Sequence, residues 1–205
     1  MARIGRRSFL QMAAASAVPG TALFGQSLGG VGGSSPGGQS GTSTTKGVLV
    51  AAGTDREGKL HTVGVSATTY KVLSAETAGA MFVMEQANAK KGGPTRHLHY
   101  SQDELFYVME GEYILEIGSD RFRLKEGDCA LGPRNVPHAW AFVGETKGRM
   151  LLTYSPAGRM EEFFNNREKL GLAKGKYTTA GDGDLLKRYG MEYVGPPIDL
   201  NSVTG

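Results

Sequence analysis

A single cysteine, Cys129, in 205 residues leaves no partner for an internal disulfide, so the fold must be held by its packing in any redox compartment. Its position in an apolar, strand-like run reads as a small buried residue. Long hydrophobic runs are missing too. Met12–Val18, an alanine-rich stretch behind a basic start, is far shorter than the roughly 20 residues a membrane-spanning helix needs. A net positive charge is missing outside the amino terminus. Residues 1–46 hold Arg3, Arg6, Arg7 and Lys46 and no acidic group, so the formal +3 of the chain becomes −1 for residues 47–205. With no basic stripe and interleaved aromatics left, nucleic acid is excluded as a partner. Residues 26–46 are rich in Gly, Ser and Thr with almost no apolar content, and read as a flexible linker.

Histidine is scarce as well, with four in the chain, yet His97, His99 and His138 fall with Glu104 into a pattern that reads as a metal cage. Imidazole nitrogens with one carboxylate suit borderline divalent metals. In a strand, residues two apart share a face, so His97 and His99 look the same way. Glu104 opens a β-rich run and is expected to return on an adjacent strand. The rigid turn Gly132-Pro133-Arg134-Asn135-Val136-Pro137 delivers His138 to the next strand. His61 has no partner at ligand spacing and reads as structural.

Around these residues the pattern is of short strands broken at Glu110–Glu112, Gly118–Asp120 and Glu126–Asp128, which signals an all-β sandwich or barrel. Earlier strands are expected at 47–51, 60–65, 69–73 and 80–85. Helices are expected at 157–170, with Met160, Phe163, Phe164 and the aliphatic stem of Arg167 on one packing face, and at 183–189. The tail at 190–197 is expected to pack those helices across the barrel or a subunit neighbour. Strand parity places Phe106 and Val108 beside Glu104, and Trp140 and Phe142 beside His138. These four make a candidate aromatic pocket that favours a planar substrate over a highly charged one.

The segments Gly93–Gly111 and Gly127–His138 resemble the two motifs of the cupin superfamily, and the chain is similar to small quercetin 2,3-dioxygenase-like cupins. Asn135 and Phe142 stand where glycine and asparagine are common, and the leading Gly92 or Gly93 lies closer to His97 than usual. Asparagine tolerates the left-handed backbone a glycine would adopt. The resemblance implies a jelly-roll β-barrel with C-terminal helices and one divalent transition metal per chain, Fe, Mn, Ni, Co or Cu, or else Zn. His97, His99, Glu104 and His138 would be its ligands. It further implies a dioxygenase acting on O2 and a small enol, phenol or diketone, with Glu104 as ligand and catalytic base, and a homodimer. The other readings are a non-catalytic periplasmic binding cupin, or a cupin isomerase or decarboxylase. No second His-x-His pattern occurs, which argues for one cupin unit.

Arg6-Arg7-Ser8-Phe9-Leu10 ahead of the weak apolar stretch resembles a twin-arginine export signal, implying the twin-arginine machinery as a partner and a periplasmic or exported location. Cleavage is expected after Gly20-Thr21-Ala22 or near Gly25, and an uncleaved signal would leave a membrane tether. The expected organisation is signal 1–25, linker 26–46, barrel 47–156 and helical extension 157–205.

Overall fold

The computed structural model describes residues 46–63, 66–169 and 179–202. The expected signal and all but the last residue of the linker lie outside them.

Two antiparallel sheets face each other. The six-stranded sheet comprises β1 (His61–Val63), β2 (Ser66–Val72), β3 (Phe82–Asn88), β5 (Asp103–Glu110), β8 (Cys129–Gly132) and β10 (Gly148–Ser155), in the spatial order β1-β2-β3-β10-β5-β8. The five-stranded sheet comprises β4 (Thr95–His99), β6 (Glu112–Ile117), β7 (Asp120–Lys125), β9 (His138–Phe142) and β11 (Met191–Pro197), in the order β11-β4-β9-β6-β7. Helices α1 (Met160–Lys169) and α2 (Thr179–Arg188) follow β10.

The sequence patterns explain the strands. Along β5, Glu104, Phe106 and Val108 are buried while Tyr107 is exposed, the period-two alternation of a sheet with one wet face. Each expected break is a turn with a glycine at positive φ: Gly111, Gly118 and Gly127. Tyr70, Phe82, Met84, Phe106, Val108 and Tyr113 are fully buried between the sheets. Each such large side chain stabilises the fold by roughly 1.5–3 kcal/mol through burial.

Several expectations need correction. Residues 47–51 form no strand, and Leu49 is exposed, because apolar β-type residues without a pairing partner do not make a ladder. The tail is β11, hydrogen-bonded to β4, so it extends the sheet that carries His97 and His99. The second helix begins at Thr179, ahead of the expected 183. Cys129 is exposed, because it lies on β8 at the sheet edge and shares its outward parity with Leu131. His61 is buried, stacked on Tyr70 at 4.0 Å between ring centroids, in a structural setting away from the other histidines.

Candidate metal centre and cavity

The four candidate ligands meet from both sheets. His97 and His99 lie on β4, and His138 pairs with His97 across to β9. Glu104 lies on β5, in the facing sheet rather than on an adjacent strand. One donor atom from each residue lies within 4.8 Å of all the others. His99, Glu104 and His138 are buried, and His97 faces a cavity.

Local backbone geometry fixes these positions. Asn135 adopts φ 63°, the left-handed conformation expected of it, and the turn sets β9 in register with β4. Gly93 runs so close to β9 that a Cβ there would fall 1.7 Å from the Trp140 carbonyl oxygen, a clash with backbone that no rotamer relieves. Phe106 packs edge-on to the His138 ring at 5.8 Å and so holds the imidazole in place.

The hydrogen bonds orient the rings. His97 Nδ1 lies 2.8 Å from the Thr95 carbonyl, and His138 Nδ1 lies 3.0 Å from that of Val136. A carbonyl only accepts, so Nδ1 carries the proton in each ring and Nε2 presents a lone pair. His138 Nε2 is 3.1 Å and His99 Nε2 3.2 Å from the same oxygen, Glu104 Oε2. Neither nitrogen of His99 has a hydrogen-bond partner among the described residues. Lone pairs converging in a buried space call for positive charge. A proton on one nitrogen answers one contact; a divalent ion answers all four.

Electrostatics point the same way. Burial, reinforced by the neighbouring His138 and His99, pushes the His97 pKa down to about 3, so the ring is neutral and ready to ligate at neutral pH. Burial alone would raise the Glu104 pKa. The close approach of the His138 and His99 rings outweighs it and holds the carboxyl below the usual range, so Glu104 is a carboxylate. The residues fit a divalent metal. Three imidazoles and one carboxylate leave two positions open on an octahedral ion.

While His99 and His138 are fully buried, the other two donors, His97 and Glu104, line a cavity of about 270 Å³ and mark its inner end. Its walls correct the expected pocket. Trp140 lines it, but Phe106, Val108 and Phe142 do not: they are at most 1% exposed and fill the barrel core. Parity gave their face correctly, but the facing sheet covers them. The walls that sequence reasoning missed come from the C-terminal segment. Met160, Phe163, Phe164 and Arg167 on α1, and Met191 and Tyr193 on β11, line the cavity. The signal for Arg167 was present, since an arginine at helical spacing in an apolar stripe implies a buried guanidinium as readily as a packed stem. It is 2% exposed, and its cationic group in the wall removes the expectation of a pocket that disfavours charge.

Residues 83–154 match the family model of the cupin domain. The sheets form the cupin jelly roll. The cupin match runs from β3 to β10, so it contains all four donors and leaves α1, α2 and β11 outside. Among curated proteins, the chain is similar to the uncharacterized protein MJ1618 of Methanocaldococcus jannaschii, with 28% identity over 60 residues, 29% of this chain and 48% of that protein. The chain thus spans about half the length of that relative. Among solved structures it is similar to KdgF from Halomonas sp. (18% identity, TM-score 0.45, covering 54% of this chain and 94% of that one). It is also similar to a predicted oxalate decarboxylase from Thermotoga maritima (12%, 0.48, 53% and 98%) and an RmlC-like cupin from Shewanella frigidimarina (20%, 0.41, 48% and 84%).

Proposed function

We propose that the protein is a metal-dependent oxidoreductase, a dioxygenase acting on a small planar enol, phenol or diketone. The observation that carries this reading is the placement of three imidazoles and one carboxylate at the inner end of a cavity walled by Trp140, Tyr154, Phe163 and Phe164. His97, His99, His138 and Glu104 would hold the ion. A redox-active divalent metal there would supply Lewis acidity toward a substrate oxygen and a route for electrons to dioxygen.

The chain's own residues have defined tasks. His97 and His138 are locked by Thr95 and Val136 with Nε2 inward, so they remain ligands rather than proton carriers. Glu104, already a carboxylate, lines the cavity and accepts the proton of the substrate hydroxyl at an oxygen. The aromatic walls take the flat faces of the substrate and keep water from the reacting end. Export through the twin-arginine pathway, resting on Arg6-Arg7 and the residues after them, and assembly as a homodimer belong to the same proposal.

The test is oxygen uptake by the metal-loaded protein with a flavonol and a panel of catechols and diketones. Substrate-dependent uptake is expected, reduced about 10²- to 10⁴-fold in Glu104→Gln, the range general-base catalysis provides. No uptake by a fully loaded protein across the panel would reject the dioxygenase reading. Full activity of Glu104→Gln would remove the base.

A further inference from the structure

The outer part of the cavity carries polarity that metal binding does not use. Arg167 lies two helical turns after Met160 on α1, roughly 10 Å along the axis. It is the only arginine or lysine among the described residues lining the cavity. Its guanidinium stands 5.4 Å from the centroid of the Phe163 ring, an arrangement that fixes the plane of the donor fork.

Ser66 and Gln86 share this region. Helix α1 packs on β1, where Val63 pairs with Ser66 of β2. Ser66 in turn pairs with Asn88 and Thr68 with Gln86, so Ser66 and Gln86 are diagonal neighbours on one sheet face. A buried relay sets the polarity of Ser66. The Tyr113 hydroxyl donates to Asn88 Oδ1 at 3.0 Å, and Asn88 Nδ2 donates to Ser66 Oγ at 2.7 Å. Burial pushes the Tyr113 pKa up, so that phenol keeps its proton. Ser66 accepts within the relay, and its own O–H remains to donate to what the cavity holds. Gln86 is 4% exposed, and its Oε1 has no hydrogen-bond partner among the described residues. A buried orphan acceptor in a cavity wall calls for a donor from the cavity contents.

We propose that this outer region is a subsite for the carboxylate of a small aromatic hydroxy acid, with Arg167 and Ser66 donating to the carboxylate and Gln86 Oε1 accepting from a donor on the same ligand. The identity of the oxygen-bearing inner end rests on the metal reading above. The acid-binding end rests on Arg167, Ser66 and Gln86, none of which is a metal donor. Arg167 and Ser66 also lie outside the residues that match the cupin domain, and Gln86 lies within them.

Trp140, the chain's single tryptophan, lines the cavity and reports its occupancy by fluorescence. The full chain, metal-loaded and kept anaerobic, is titrated with 3-(3,4-dihydroxyphenyl)propanoate and with its neutral carboxamide. The acid is expected to bind about 10- to 100-fold more tightly, the range of a charge-assisted hydrogen bond. Arg167→Met should abolish that preference, with amide affinity kept, Arg167→Lys should retain part of it, and Ser66→Ala should reduce it several-fold. Circular dichroism checks each variant; if Arg167→Met does not fold, Ser66→Ala carries the test. Equal affinity for acid and amide, no binding of the acid at millimolar concentration, or an unchanged preference in the folded variants would overturn the subsite. Repeating the titration after chelation separates the two readings. Affinity that is unchanged without metal, with the acid preference intact, would sink the metal's role in ligand binding and leave the subsite standing.

Discussion

The inner and outer ends of the cavity are built from different material. At the inner end, His97, His99, Glu104 and His138 stand on strands of two sheets whose hydrogen bonds fix each Cα, and backbone carbonyls fix two of the rings. At the outer end, Met160, Phe163, Phe164 and Arg167 stand on a helix that reaches the barrel through side chains, with Phe82, Tyr154 and Phe164 in ring contacts near 6 Å and the Tyr70 hydroxyl donating to Asn165 at 3.1 Å. A ladder holds atoms to tenths of an ångström and suits ligands that must share one ion. A packed helix tolerates exchange of its side chains and suits the part of a site that selects what enters. The difference assigns chemistry to one end and selection to the other.

His99→Ala has the largest expected effect and acts at the inner end. It should remove nearly all metal at stoichiometric loading and all oxygen uptake, as metal titration of the purified variant will show; the neighbouring strands should still fold. Phe164→Ala acts from the other end. It should lower stability by about 3–5 kcal/mol, the range for truncating a buried phenylalanine, read as a shift in the denaturant midpoint, while metal stoichiometry stays at the wild-type value. Metal loss in that variant would show that the two ends are not separable.

A smaller effect concerns the sheet that joins them. Arg149 and Lys71 flank Glu85, and although burial opposes its charge, their hydrogen bonds and attraction hold its pKa below the ordinary 4.5. A depressed folded value means stability that is present above pH 4.5 and lost as pH falls through the folded pKa. Glu85→Gln should therefore destabilise by about 1 kcal/mol at pH 7, with the difference from wild type shrinking below pH 4, as paired urea titrations will show. Smallest is Cys129→Ser on the exposed edge strand. It should shift stability by no more than about 0.5 kcal/mol, and the wild-type thiol should react with a soluble disulfide reagent without denaturant.

The inner end was legible in the sequence because its signals are local. The spacing of His97 and His99 fixes their common face, the left-handed Asn135 closes the turn before His138, and Gly111, Gly118 and Gly127 mark the ends of β5, β6 and β7. What sequence left open depends on long-range packing. Parity put Phe106, Val108 and Phe142 on the inward face, but whether an inward residue meets a cavity or a neighbour depends on the facing sheet, and these three meet neighbours. The same limit hid the sheet that carries Glu104, the pairing of β11 with β4, and the approach of α1 over the cavity. Cys129 was misplaced because the parity of a four-residue edge strand is set by its partner β5, not by its own composition.

His97, His99, Glu104 and His138 are expected to hold one divalent metal ion per chain. Elemental analysis of the full-length protein, purified without chelator and again after chelation and reloading with Fe, Mn, Ni, Co, Cu and Zn in turn, tests it directly. Close to one ion per chain in the wild type, falling to a few per cent in His99→Ala, is the predicted result. A wild-type protein that takes up none of these ions, or a His99→Ala variant that binds them as well as the wild type does, would contradict it.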